Sequence, residues 1–189
     1  IPRKPGQRVK TDRLDACKLV ELFRAGVLTE VYAPTLAQES ARGLSRCRED
    51  ASRDLKSARH RLSKFLDMRG MRWAGGKSHW TVAHHRWLTS LRFEQEHDQF
   101  VYDHYLSKVQ VCAEQLASVT RALVALAEQQ PYAEPVGFLR CFHGIDTITA
   151  VSFVVELFDI GRFRSARKLM AYLGLVPSED SSGERRRRG

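Results

Sequence analysis

The stretch YDHYLSKVQVCAEQLASVTRALVAL, residues 102–126, decides the fold. Its apolar positions follow one another at alternating steps of three and four residues, which is the repeat of a coiled-coil seam. The positions of this seam are Tyr102, Tyr105, Val109, Cys112, Leu116, Val119, Leu123 and Leu126. Because no proline interrupts the surrounding sequence, the pattern predicts one long helix over about 94–130.

A second stretch of similar length precedes this one. Thr35 and Gln38 have the spacing of a helix-capping box, and no strong stop follows before Gly70. The apolar residues that recur along it are Leu36, Leu44, Cys47, Ala51, Leu55, Ala58, Leu62 and Phe65. A helix of this length reaches roughly 50 Å. Since neither helix could bury its stripe alone, we expect a long antiparallel coiled-coil arm over 35–130, or an arm that pairs with another subunit.

The segments on either side of the arm are also predicted to be helical. Thr11 can cap a first helix that Gly26 ends, and a short extended piece rich in β-forming residues follows at 28–32. Shorter helices are expected over 80–91, 138–142, 147–158 and 166–173. The fold class is therefore mainly α, with small helical elements before and after the arm. The expected domains are 1–34, 35–130 and 131–189.

The charge of the chain points to an anionic partner. The formal net charge is +9, and residues 42–77 hold eleven Lys or Arg against four acidic residues. Such a basic excess favours nucleic acid. The candidate nucleic-acid-binding cations are Arg59, Arg61, Lys64, Arg185, Arg186, Arg187 and Arg188. No apolar run is long enough for a membrane span, no secretory signal begins the sequence, and the four cysteines lack the spacing of a zinc site.

Asp12 and Asp15 are candidate metal ligands. Two carboxylates three residues apart lie on one face of a helix, and Mg²⁺ prefers oxygen ligands. Pairs of such ions bridged by carboxylates are common in phosphodiester chemistry. From spacing alone, the simpler interpretation is a favourable helix-dipole interaction, with solvated acids and an Asp15–Lys18 contact.

The sequence LRCFHGIDTITA, residues 139–150, is similar to a helix-hairpin-helix element. In such an element, a turn containing glycine presents backbone N–H groups to a DNA phosphate. His143, Gly144 and Ile145 are the candidate contacts, with Gly144 allowing close approach of the backbone. The alternative is an ordinary helical hairpin within a small core.

Ser181 and Ser182 stand beside the run of four arginines. A serine hydroxyl is a poor nucleophile unless it is activated and held against its target, and arginines would grip a phosphate there. By residue type alone, a flexible polar tail is the simpler interpretation. The cluster of His79, Trp80, His84, His85 and Trp87 offers possible metal ligands, but packing and surface exposure explain it better.

Five strings together resemble the insertion-sequence transposases of the IS-110/IS-116/IS-902 type. They are KTDRLDA (10–16), LSRCREDA (44–51), ARHRLSKFL (58–66), GIDTITA (144–150) and GLVPSEDSSGERRRRG (174–189). The resemblance implies a RuvC-like nuclease domain with an Asp-Glu-Asp-Asp set that binds Mg²⁺, a coiled-coil arm and a C-terminal transposase domain. In this family a serine attacks DNA and forms a phosphoserine link, and a structured bridge RNA selects donor and target DNA.

Carried over to this chain, the resemblance assigns Asp12 and Asp15 as the last two acids of the metal-binding set. Ser182 matches the nucleophile, with Ser181 the less favoured choice. Residues 1–34 would be a remnant of the RuvC-like domain. The first Asp and the Glu of the set would lie upstream, so we expect a chain cut at both ends that cannot run the complete reaction alone.

The partners implied are DNA, the guide RNA and further copies of the chain in a homo-oligomer, in the cytoplasm near the nucleoid and away from membranes. The alternative function is a non-catalytic basic helical module for nucleic-acid binding and oligomerisation. An affinity that does not change with salt concentration would contradict nucleic-acid binding under both functions.

Overall fold

The computed structural model describes residues 11–28, 31–76 and 78–176, and every regular element in these ranges is helical. The α-helices are α1 (Asp12–Arg24), α2 (Leu36–Met68), α3 (Val82–Ser90), α4 (Glu96–Ala127), α5 (Ala133–Arg140), α6 (Thr147–Leu157) and α7 (Ala166–Tyr172). The prediction of a mainly α fold is confirmed. Among the described helices, none is both long enough and apolar enough to cross a membrane. The chain divides into two compact units, 1–35 and 36–189.

The first unit is built around α1. The Thr11 side chain accepts a hydrogen bond from the Leu14 backbone N–H at 3.3 Å, which is the predicted N-cap. Gly26, with φ of +65°, ends the helix in the left-handed conformation that glycine adopts without strain. The described part of the predicted extended piece has no regular structure, and residues 29–30 lie outside the described residues. A RuvC-like origin of this unit stays a prediction.

In the second unit, α2 and α4 pack against each other in antiparallel orientation. Arg48, in the first half of α2, donates to the Thr120 hydroxyl, near the end of α4, at 3.2 Å. Arg69, just past the end of α2, pairs with Asp98 in the first turn of α4. Every predicted seam position of α4 is buried or half-buried. The partner of the seam is therefore a helix of the same chain.

The buried face of α2 differs from the predicted stripe in its first half. Leu36 and Cys47 were expected on the apolar side, but both are exposed. Ala41 and Ser45 are buried instead. The reason is close packing against α6, where the Ser45 hydroxyl donates to the Ser152 hydroxyl at 3.1 Å. Small side chains allow the two helices to approach, and they give little hydrophobic signal in the sequence.

The α6 helix joins the base of the arm to the C-terminal helices. Its buried Val151 and Val155 belong to one apolar core with Leu123 of α4 and Val136 of α5. The packing is thus continuous across the predicted domain boundary at 131, and the division there stays a prediction. The helix after that boundary begins at Ala133, five residues earlier than expected, with Pro135 in its first turn, where a backbone N–H has no helical partner to lose.

A second apolar core lies towards the other end of the arm, where α3 folds against α2 and α4. Leu62, Leu88 and Tyr102 are almost completely buried there. The Tyr102 hydroxyl donates a hydrogen bond to the Leu88 carbonyl near the end of α3. Burial raises the pKa of Tyr102 to about 12, so the hydroxyl keeps its proton and remains a donor at neutral pH.

His84 lies in this region within a cluster of aromatic rings. His84 is 3% exposed. The ring centroids of Trp73, Trp80 and Trp87 lie 5.4, 5.2 and 5.4 Å from the centroid of the His84 ring, and those of Trp73 and Trp87 lie 5.6 Å apart. The Trp80 backbone N–H donates to Nδ1 of His84 at 3.1 Å, so that nitrogen must be unprotonated. Burial, followed by the neighbouring His79 and His85, lowers the pKa of His84. The cluster is packing around a neutral histidine.

Replacing Tyr102 by Phe should destabilise the second unit. The change removes one of the two hydrogen bonds to the Leu88 carbonyl, which still accepts from the Leu91 backbone N–H, at a cost of about 0.5–1.5 kcal/mol in the free energy of unfolding. Urea unfolding followed by circular dichroism measures this change. Tyr105→Phe is the matched control, because the half-buried Tyr105 ring packs on Phe65 with no hydroxyl hydrogen bond among the described residues. Equal losses in both variants would contradict the role of the Tyr102 hydroxyl.

The stability of the protein should fall as the pH drops from about 7.5 to 5.5. Because the folded pKa of His84 is lowered, the unfolded chain takes up a proton first as the pH falls through about 6.5. Melting temperatures across this range check the effect. His84→Asn keeps an acceptor near Nδ1 and should flatten the pH dependence, whereas the exposed His97→Gln should leave it unchanged. A steep profile in His84→Asn would show that another group is responsible.

Candidate nucleic-acid interface

The two candidate metal ligands lie in the first turn of α1. Asp12 is exposed and Asp15 is half-buried, three residues apart on one side of the helix. Within the described ranges, no group of three or more His, Cys, Asp or Glu side chains is placed to hold a metal ion. Two carboxylates alone do not make such a group, and their role as metal ligands stays a prediction. Ser181, Ser182 and Arg185–Arg188 lie outside the described residues.

The predicted hairpin is present as α5, a turn at 141–146, and α6. Gly144 has φ of +87°, which a side chain would oppose, and it lies exposed beside His143. Ile145 is half-buried against the core at the base of the arm, so only part of its side chain faces solvent. The exposed side chains of the turn are Cys141, Phe142, His143 and Asp146.

The Asp146 carboxylate already occupies the N-terminus of α6. It accepts a hydrogen bond from the Thr149 backbone N–H at 2.7 Å. This bond lowers the pKa of Asp146, and the charge of Arg48 adds to the effect. The carboxylate is therefore ionised at neutral pH and would repel a phosphate that approached the same helix end. The sequence analysis did not single out this cap, although Asp is one of the residues preferred at a helix N-cap.

Many basic side chains of α2 are already paired with acids. Arg42 and Arg46 both bind Glu156 of α6, with Arg46 in a bidentate arrangement at 2.9 and 3.2 Å. The other pairs are Arg42 with Glu39, Arg53 with Asp50 and Lys64 with Asp67. Of the predicted nucleic-acid contacts on this helix, Lys64 is thus partly neutralised, whereas Arg61 is exposed.

Arg59 lies on a different side of α2 from Arg61, beside an open groove of 510 Å³. Its guanidinium carbon is 4.8 Å from the centre of the Trp80 ring, a cation–π contact. Burial lowers the pKa of the Arg59 guanidinium, although the group stays charged. The groove also includes Lys56 and His60, which the sequence reasoning missed. Their spacing with Arg59 on one helix face was the available signal, but the aromatic wall comes from a distant segment.

The structure does not bring the hairpin together with the predicted nucleic-acid contacts Arg59, Arg61 and Lys64. Ser45, which contacts α6, and Arg61 are separated by 16 residues of α2, or roughly 24 Å along the helix. Any single nucleic acid that touched both regions would have to extend along the arm. Arg48 is the cation that acts on the hairpin, through its effect on Asp146.

Comparison with known proteins identifies relatives along the whole chain. Residues 137–189 match the family described as Transposase IS116/IS110/IS902 family. The whole chain aligns at 41% identity with 45% of "Putative transposase y4qE" from Sinorhizobium fredii. At 35% identity, 88% of the chain aligns with 49% of "Transposase for insertion sequence element IS1533" from Leptospira borgpetersenii. The chain thus spans about half the length of the curated relatives it matches. No solved structure matches it significantly.

Asp146→Asn should strengthen nucleic-acid binding if the hairpin contacts phosphate. Asparagine keeps the helix cap but removes the negative charge, so affinity at low salt should rise about two- to fivefold. Fluorescence anisotropy with a labelled DNA duplex measures the change. Asp159→Asn, which alters another capping carboxylate outside the hairpin, serves as the control. If the two variants bind DNA with equal affinity, the turn at 141–146 does not contact the DNA backbone.

Proposed function

Because the chain belongs to the IS116/IS110/IS902 transposase family, we propose that it is part of a site-specific DNA recombinase that moves an insertion sequence. The observation that carries this proposal is the similarity to named transposases along the whole chain, with the family domain at 137–189. The basic surface of the arm supports it, since a transposase must hold a polyanion.

The proposed chemistry uses Ser182 as the nucleophile. Its hydroxyl oxygen attacks the phosphorus of a DNA strand, the new O–P bond forms a phosphoserine ester, and one strand end leaves as a hydroxyl. Attack by the hydroxyl of another strand then reverses the step and releases the serine. Arg185–Arg188 would offset the negative charge that develops on the phosphate oxygens.

Asp12 and Asp15 are the proposed ligands of a divalent cation, Mg²⁺ by its preference for carboxylate oxygen. Their position in one exposed helical turn fits this role, because two carboxylates three residues apart can face the same ion. When bound, such an ion polarises phosphate oxygens and lowers the pKa of a coordinated hydroxyl or water. The remaining ligands would come from residues other than these two.

The proposed partners are donor and target DNA, together with a structured guide RNA and further copies of the protein. His143 and Gly144 would contact the DNA backbone at the hairpin, and Arg59, Arg61 and Lys64 would do so on the arm. Because α2 and α4 bury their seams against each other, a homo-oligomer would have to use other surfaces of the arm.

A non-catalytic nucleic-acid-binding module is the second candidate function. The basic groove beside Arg59 favours it, because this groove offers cations without any of the proposed catalytic groups. The two candidates differ in whether protein becomes covalently attached to DNA. A binding module would show salt-sensitive affinity and never form an adduct.

Ser182→Ala should abolish a covalent protein–DNA adduct. The test uses a protein that joins this chain to the remaining segments found in its longer relatives, incubated with guide RNA, Mg²⁺ and a donor site. Adducts are detected as slow-migrating bands on a denaturing gel. Ser181→Ala should keep most of the adduct, and Asp12→Asn with Asp15→Asn should reduce it at least tenfold, a loss of about 1.4 kcal/mol or more in transition-state stabilisation. A full adduct yield in Ser182→Ala would contradict the assignment.

A further inference from the structure

The groove on the arm has a defined chemical lining. Six of its residues lie on one face of α2 at helical spacing, Trp80 forms a wall, and Leu116 of α4 contributes an apolar patch. The lining residues on that face of α2 include Ser52, Lys56, Arg59 and Ser63. None of the described residues that line the groove is acidic, so its charge is purely positive.

Arg59 is held in place while keeping unused hydrogen-bond donors. The cation–π contact with Trp80 holds its guanidinium over the ring, and its Nε is buried with no hydrogen-bond partner among the described groups. No ion pair or hydrogen bond to a described residue occupies the terminal nitrogens of the guanidinium, so these nitrogens can donate to an anionic oxygen in the groove. Lys56 is exposed one turn earlier, with no ion pair among the described residues.

The length of the groove indicates which kind of anion it can bind. Ser52 and Ser63 are 11 residues apart, which is roughly 16 Å along the helix. A single phosphate would fill only a part of this length. Along one strand of a nucleic acid, charges recur about every 3.4 Å of axis, so several successive phosphates could face the groove.

We propose that the groove formed by Lys56, Arg59, His60 and Trp80 binds the phosphodiester backbone of a nucleic-acid strand. Arg59 grips one phosphate with its planar fork, Lys56 neutralises a neighbouring phosphate, and the serine hydroxyls donate at either end. The site reads backbone rather than base sequence, because none of these contacts requires a particular base edge. This inference rests on the proposed function, since it takes nucleic acid as the partner.

The test measures binding of the 189-residue chain to labelled DNA and RNA oligonucleotides of matched sequence, over a range of salt concentrations. Lys56→Gln and Arg59→Gln should each weaken binding, and together by roughly tenfold. Each should reduce the slope of log affinity against log salt by about 1, the value expected for one lost phosphate contact. Comparison of the DNA and RNA arms shows which strand occupies the groove.

Arg53→Gln is the matched control. It removes the same charge one turn from Lys56, but its guanidinium is already bonded to Asp50, so affinity and salt slope should stay near those of the unmodified chain. Thermal melts establish folding of each variant, and the exposed Lys56→Gln tests the site even if Arg59→Gln unfolds. Groove variants that bind like Arg53→Gln would overturn the inference and leave the proposed function standing. Salt-insensitive binding, or none, by the unmodified chain would overturn both.

Discussion

The antiparallel contact between α2 and α4 is the constraint on which the second unit depends. Each helix carries an apolar stripe too long to leave in water, and pairing them buries both stripes within one chain. That pairing creates a site at each end of the arm: α3 packs on one end through Leu88, and α6 packs on the other through Val151 and Val155. The distance between the hairpin and the groove follows from the length of α2 between them.

Helix positions could be predicted because heptad spacing is a local property of the sequence. The α4 seam from Tyr102 to Leu126 is such a case, and so is the Thr11 cap. The buried face of α2 near Ala41 and Ser45 could not be predicted, since it depends on close approach of α6, more than one hundred residues away. The start of α5 was also predicted wrongly. Pro135 indicated a helix boundary, but proline is tolerated in the first turn of a helix.

The candidate site was less predictable than the fold. Spacing alone favoured solvated acids at Asp12 and Asp15, and only family resemblance selected them and Ser182 as catalytic candidates. The groove was only partly visible in the sequence, because Arg59 acquires its aromatic partner from Trp80, which lies 21 residues along the chain. A charged side chain becomes a binding group through what surrounds it, and sequence composition does not record those surroundings.

Net charge is therefore a poor measure of where this protein holds a polyanion. The formal charge of +9 includes arginines that bind Glu156 and hold α6 against the arm, and these contribute to packing before they contribute to any external field. Long-range attraction depends on the total charge, but a site depends on cations whose donors have no internal acceptor. On α2, the cations that are paired with acids contribute to packing, and the cations without an acidic partner remain available to an external anion. The basic run between residues 42 and 77 thus contains two kinds of cation: Arg42 and Arg46 tie α2 to α6, whereas Arg59 lines the groove with no acidic partner among the described residues.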